Sequence, residues 1–179
     1  MPSFQDVIVS ANRLEIARRY VANNLSVIPV KADGSKSPKH GGWRAYAAKL
    51  PTDIELQAWF SNEDAGIGVV AGPASGNLVV LDFENKYGRP AYSEWIVGLP
   101  EELSQIIVSL PVVRTPTGGR HIWIRLEEPE HGGKLCRYSK GATKVEVRGD
   151  GHMVLAPGCP RECHSTGETY EFESLGWLL

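Results

Sequence analysis

Cysteine is scarce in this chain of 179 residues, with three in all, an odd number. An odd count cannot be fully paired, and it suits thiols in a reducing compartment better than a disulfide framework. Long apolar runs are missing too, so nothing approaches the length of a membrane-spanning helix. The opening Met1-Pro2-Ser3-Phe4-Gln5-Asp6 has no signal-peptide character, and a cytoplasmic protein is expected. Neither charge dominates: 19 Lys and Arg face 21 Asp and Glu, for a net charge of −2. That excludes a global basic field, so any nucleic-acid partner has to be met by a local patch. There is no internal repeat and no low-complexity tract. The length allows one sizeable core or two small lobes packed together. The closing Gly176-Trp177-Leu178-Leu179 lacks a polar tail, which leads us to expect a longer protein of which this is one domain.

What is present centres on Asn77-Leu78-Val79-Val80-Leu81-Asp82-Phe83-Glu84-Asn85. It has the pattern of a strand, and side chains two apart on a strand share a face. Asp82 and Glu84 therefore point one way, and Val79, Leu81 and Phe83 the other, toward a core. Two acids on one face repel each other unless a cation lies between them. A divalent metal is the usual reason for such a pair, and a solvated acidic strand end is the alternative.

Two further stretches repeat this design. Val112 to Arg125 predicts a strand, a turn at Gly118-Gly119 and a second strand, with Ile122, Ile124 and Leu126 on one face and His121, Trp123 and Arg125 on the other. Lys144-Val145-Glu146-Val147-Arg148 predicts a strand with Val145 and Val147 inward and Lys144, Glu146 and Arg148 outward. If the three strands are neighbours, carboxylates, a histidine and several cations meet on one surface. The plain alternative is the wet face of an antiparallel sheet.

The rest of the chain predicts supporting elements. An amphipathic helix spans residues 7–24 through Val7, Ala11, Leu14, Ala17 and Val21. A strand follows at 25–30, and then a basic loop from Lys31 to Gly42 with Lys31, Lys36, Lys39 and His40, leading to Trp43. This loop is either solvated or a phosphate-contacting segment, with Lys36 the best-placed cation. Thr52 to Glu55 has the form of a capping box and starts a helix through Leu56, Trp59 and Phe60. The apolar strand at 66–72 is expected to form a hairpin with the acid-bearing strand. Residues 91–108 predict a helix in two pieces, broken at Gly98 and Pro100, and 127–143 predict a polar loop. The strand at 144–148 is expected to turn at Gly149-Asp150-Gly151 and return as a hairpin through 152–157. Residues 168–173 alternate like a last strand.

The chemistry open to such a surface is phosphoryl transfer. Asp82, Glu84 and Glu146 can hold two Mg²⁺ or Mn²⁺ ions, which clamp the attacking and leaving oxygens of an in-line displacement. Catalysis of this kind is mostly positioning and charge neutralisation. Backbone N–H groups from Thr117 to Gly119 can approach a triphosphate, since glycine has no side chain in the way. Arg120 and His121 add charge and hydrogen bonds. Lys144 and Arg148 flank Glu146 and can bind phosphate.

The order Asp82-x-Glu84, then Gly118-Gly119-x-His121, then the acid in Val145-Glu146-Val147-Arg148-Gly149-Asp150-Gly151, resembles the primase-polymerase (prim-pol) domain. This is the archaeo-eukaryotic primase superfamily, in the branch found on plasmids, phages and mobile elements. Val27-Ile28-Pro29-Val30, Lys36-Ser37-Pro38 with Trp43, Gly66-Ile67-Gly68 and Ala156-Pro157 also fall where that branch has similar residues. The resemblance implies template-directed nucleotidyl transfer that makes or extends primers. It makes Asp82, Glu84 and Glu146 the metal ligands and His121 a contact to the nucleotide's phosphates. Glu146 stands where Asp is commoner, and Gly119 stands where many members have Ser, which leaves that contact to backbone or Thr117. The implied fold is α+β, an RNA-recognition-motif-like sheet at about residues 77–179 joined to an N-terminal α/β unit at about 1–76, with helices on one face. The implied partners are a single-stranded DNA template, nucleoside triphosphates and a helicase domain further along the polypeptide, in a bacterial or phage-infected cell.

His131, Cys136, Cys159, Cys163 and His164 have the residue types of a zinc site, but not a strong zinc spacing, and free thiols are favoured over structural zinc. His164 either approaches the nucleotide or braces its loop. Two other classes stay open: a single-stranded nucleic-acid-binding module, which needs aromatic platforms such as Trp123 on the open face, and a metal-dependent nuclease or replication initiator. The second usually needs a nucleophilic Tyr or a His pair. His-x-His is absent, and Tyr138 and Tyr170 have no such setting.

Overall fold

The computed structural model describes Phe4, Ile8 and residues 11–62, 64–87 and 89–178. Val7, the first position of the expected N-terminal helix, lies outside the described residues. The helix itself is α1 (Arg13–Ala22). Asn12 caps it by accepting from the Glu15 N–H, and Asn23 ends it. Its apolar stripe buries Ile16, Ala17 and Tyr20, and the Tyr20 hydroxyl donates to the Pro157 carbonyl at 2.9 Å. Helix α2 (Asp53–Phe60) carries the expected capping box, with Thr52 and Glu55 each accepting from the other's backbone N–H, worth about 1 kcal/mol.

The chain builds a three-stranded sheet and a six-stranded sheet, both antiparallel, in an α+β fold. Strand β1 (Ser26–Lys31) pairs with β2 (Ala65–Val70). Strand β3 (Leu78–Phe83) is central to the larger sheet. It is followed by a two-stranded ribbon of β4 (Asn85–Lys86) and β5 (Arg89–Pro90), then helices α3 (Ala91–Val97) and α4 (Glu101–Val108). Next come β6 (Val112–Arg114), β7 (Arg120–Arg125), β8 (Gly133–Arg137), β9 (Thr143–Arg148), β10 (Met153–Leu155) and β11 (Glu171–Ser174). The order of the larger sheet is β11-β6-β7-β3-β9-β8, and that of the smaller is β1-β2-β10.

Only the β6–β7 hairpin forms as local turn chemistry predicts. The expected hairpin of β2 with β3 does not form: β2 pairs with β1 and β10, β3 pairs with β7 and β9, and a single bridge, Gly72 to Leu78, is left between the two segments. Likewise β9 and β10 enter different sheets. Strand β10, from the late part of the chain, completes the sheet that β1 and β2 begin. Strand β8 lies inside what the sequence predicts as a loop, and all five of its residues are exposed.

Two large apolar clusters hold these layers, with a small third one of Ile28, Ala47 and Val70 among the described residues. The first joins α1, α2 and the small sheet to one end of one face of the large sheet, through Leu78, Val80, Val113 and Trp123. The second covers the opposite face with Phe83, Ile122 and Val145, packed against Ala91 and Ile107 of α3 and α4. Trp123 is fully buried in the first cluster, between Tyr20 and Phe172. It is therefore not the open-face aromatic platform that strand alternation suggests. Among the described residues no helix is long and apolar enough to cross a membrane.

Candidate active site

Register brings the expected site residues together. Asp82 on β3 is the direct cross-strand neighbour of His121 on β7 and of Glu146 on β9. The row continues outward to Val113 and Phe172 on one side and to Lys134 on the other. Directly paired residues share a face with Cβ atoms about 4.5–5.5 Å apart, so three residues far apart in sequence become lateral neighbours.

The half of this face near the ends of β3 and β7 opens into a cleft of about 370 Å³. Asp82, Glu84, Thr115, Thr117, His121 and Arg148 line it from the large sheet, and Lys36, Trp43 and Arg44 from the basic loop and the turn after it. His152 to Leu155, His164 and Tyr170 close the remaining wall. The basic loop is held against that wall by the Gly34 N–H, which donates to the Glu162 carbonyl at 2.7 Å.

One guanidinium bridges two of the acids. Arg148 stands 3.4 Å from Asp82 Oδ2 and 3.1 Å from Glu146 Oε2. His121 Nε2 lies 3.5 Å from Asp82 Oδ1. Burial pushes the Asp82 carboxyl up, but His121 and Arg148 outweigh it and hold it below the ordinary carboxylate value. Glu84 is paired more loosely, with Lys86 at 3.6 Å. His121 is 5 % exposed, and its buried Nδ1 has no hydrogen-bond partner among the described residues.

The donor set fits a divalent cation. Asp82 and Glu146, on paired positions, share the positive charge of Arg148. Asp82 and Glu84 line the cleft, whereas Glu146 pairs with Arg148 and is not among the lining residues. As the side chains stand, no three His, Cys, Asp or Glu groups among the described residues converge at metal-holding distance. Arg148 holds the place between Asp82 and Glu146, and Glu84 turns to Lys86. The thiols take no part: Cys159 and Cys163 are buried and Cys136 exposed, all three free. The Cys159 Sγ is engaged by the backbone of Ile67.

Not every predicted residue reaches the cleft. Arg120 lies in register with Phe83, on the face opposite Asp82. Adjacent residues on a strand cannot share a face, so Arg120 and His121 part company. The Arg120 guanidinium binds Glu173 at 2.6 Å and the Gly118 and Gly119 carbonyls. Lys144 binds Glu94 of α3 at 2.7 Å. Gly119 has no room for any side chain, because a Cβ there would lie against the Phe83 carbonyl oxygen and 3.0 Å from Thr115 Oγ1.

Sequence reasoning did not select Arg44, Thr115, His152 or Tyr170. They sit in loops and single turns whose local pattern carries no periodicity, and only the tertiary fold gathers them. Tyr170 lies between His121 and His164, with ring centroids 5.9 and 6.3 Å away, and its hydroxyl pKa is raised by burial. His164 both lines the cleft and braces its loop: its Nδ1 accepts from the Thr166 N–H at 3.1 Å. Burial, then nearby Lys36, lowers its pKa.

Among known proteins, the family model described as bifunctional DNA primase/polymerase, N-terminal (Prim-Pol), matches residues 17–175. No curated protein matches the chain. The matched stretch contains every residue lining the cleft, from Lys36 to Tyr170. The chain belongs to the Prim-Pol family of bifunctional DNA primase/polymerases.

Proposed function

We propose that the cleft performs template-directed nucleotidyl transfer, making or extending primers on single-stranded DNA during phage or plasmid replication. The observation that carries this reading is the row His121–Asp82–Glu146 across β7, β3 and β9. In the reaction a 3′-hydroxyl attacks the α-phosphorus of a nucleoside triphosphate, a P–O bond forms, and pyrophosphate leaves with the broken one. Asp82, Glu84 and Glu146 would hold two Mg²⁺ or Mn²⁺ ions, which would supply charge neutralisation for the phosphoryl transfer.

The chain's own groups do the positioning. The His121 ring lines the cleft beside the phosphates, and its Nε2 faces Asp82. Arg148, Lys36 and Arg44 line the cleft with positive charge for the triphosphate. The Thr115 and Thr117 hydroxyls, 3.3 Å apart, offer hydrogen bonds beside the glycine turn. A primer-synthesis and primer-extension assay with Mg²⁺ or Mn²⁺ tests this. Asp82→Ala abolishes incorporation. Incorporation that survives this change refutes the assignment, and DNA cleavage without nucleotides moves it to a nuclease.

A further inference from the structure

A second cavity of about 290 Å³ adjoins the cleft, and Trp43 lines both. Its walls are aromatic: Trp43, Tyr46 and Trp59, with Pro29 of β1 at the floor. Tyr46 and Trp59 stand edge to face, with centroids 5.1 Å apart and planes at 84°. All three rings are only partly buried. The rim is cationic. His40 lines the cavity, the Arg44 guanidinium lies 4.8 Å from the Trp43 ring and the Lys49 ammonium 4.8 Å from the Tyr46 ring. Gly41, which lines the cavity, has open space beside it, since a Cβ added there would meet nothing within 4 Å.

Flat apolar walls under a cationic rim are what a single strand of nucleic acid requires, with bases on aromatic faces and phosphates on cations. One acid is built in. Glu55 accepts from the Tyr46 hydroxyl at 2.6 Å and from Thr52, and these bonds hold its carboxyl at about 2. It stays an anion, so it repels phosphate from the interior and leaves lone pairs for an N–H edge.

The geometry points to a stacking subsite for an unpaired base of the template strand, held by Trp43, Tyr46 and Trp59 next to the nucleotide cleft. It rests on the reading of that cleft as a polymerase site. Continuity through Trp43 places the strand on the side walled by β1 and α2, and the single-stranded template has the alternating flat and anionic chemistry that the cavity presents.

The test is fluorescence anisotropy of a labelled single strand on the full chain. It compares an intact strand with one of equal length carrying a central abasic run, for wild type and Trp59→Leu. A second arm titrates a fluorescent nucleoside triphosphate with Mn²⁺. Stacking is worth about 5- to 150-fold in affinity per base. Wild type should favour the intact strand by such a factor, Trp59→Leu should lose that preference, and nucleotide affinity should not change. Equal binding of the two strands by wild type overturns the subsite without any variant, so a misfolded Trp59→Leu leaves the test decisive. A Trp59→Leu loss confined to the nucleotide arm also overturns it, since the occupant is then the incoming base. Incorporation abolished by Asp82→Ala, with no strand preference, sinks this inference alone. Incorporation that survives Asp82→Ala sinks the polymerase reading itself.

Discussion

Replacing Arg148 with Met separates the two roles of the acids it bridges. The methionine keeps apolar bulk and removes the charge that lies 3.4 Å from Asp82 and 3.1 Å from Glu146. Side-chain exposures are 31 % for Arg148, 13 % for Asp82 and 17 % for Glu146, so the pair lies between an exposed bridge and a buried one. Exposed bridges contribute about 0–1 kcal/mol, and breaking a buried one costs about 3–5 kcal/mol. We expect a loss of about 2–3 kcal/mol without metal, since two neighbouring carboxylates are left facing each other. For a chain of this size, each kcal/mol lowers Tm by about 2–4 °C, which predicts a fall of about 4–12 °C. Mn²⁺ should then reverse the loss, because a ligand at one hundred times its Kd stabilises by about 2.7 kcal/mol. Wild type should gain less, as its own guanidinium competes for the same place. Calorimetry of both proteins with and without Mn²⁺ gives the answer. Equal melting temperatures without metal, or equal gains with it, would refute the view that Arg148 stands where a cation binds.

Two other expectations follow from local geometry. Gly119→Ala drives a Cβ against the Phe83 carbonyl and should cost about 1–3 kcal/mol, whereas Gly133→Ala, with nothing within 4 Å of the new atom, should leave Tm unchanged; equal effects of the two in a melting scan would contradict the close approach. The Glu55 carboxyl is lowered from 4.5 to about 2 by the Tyr46 hydroxyl and Thr52, so its stabilising effect is complete above 4.5 and fades as pH falls toward 2. The stability gap between wild type and Glu55→Gln should therefore be widest near neutral pH and close on acidification, and a gap that grows in acid would show the sign to be wrong.

The parts of the fold that announce themselves in sequence are those governed by neighbours along the chain. Alternation at Leu78–Phe83, Arg120–Arg125 and Thr143–Arg148 marks three strands, and their shared parity marks the acids and His121 as one surface. Pairing is another matter. Turn chemistry identifies β6 with β7, but nothing local tells β2 to reject β3 and accept β10. Trp123 misleads for a related reason: parity puts it with His121, yet α1 covers that end of the face, so one face is dry at Trp123 and wet at Asp82. Strand β8 is invisible because an exposed edge strand needs no apolar alternation. Arg44, His152 and Tyr170 reach the cleft through three separate loops, a convergence that only the closed fold produces.

The placement of β10 also sets an order of assembly. Strand β2 has a free edge until residues 153–155 arrive, and those residues leave the ribosome long after it. The N-terminal sheet is thus finished by the same late segment that supplies part of the cleft wall. A chain halted before that point exposes an apolar strand edge, Gly68 to Val70, of the kind that recruits other chains. Closing the small sheet and bringing up one wall of the cleft are a single step, which His164, Tyr170 and β11 then follow.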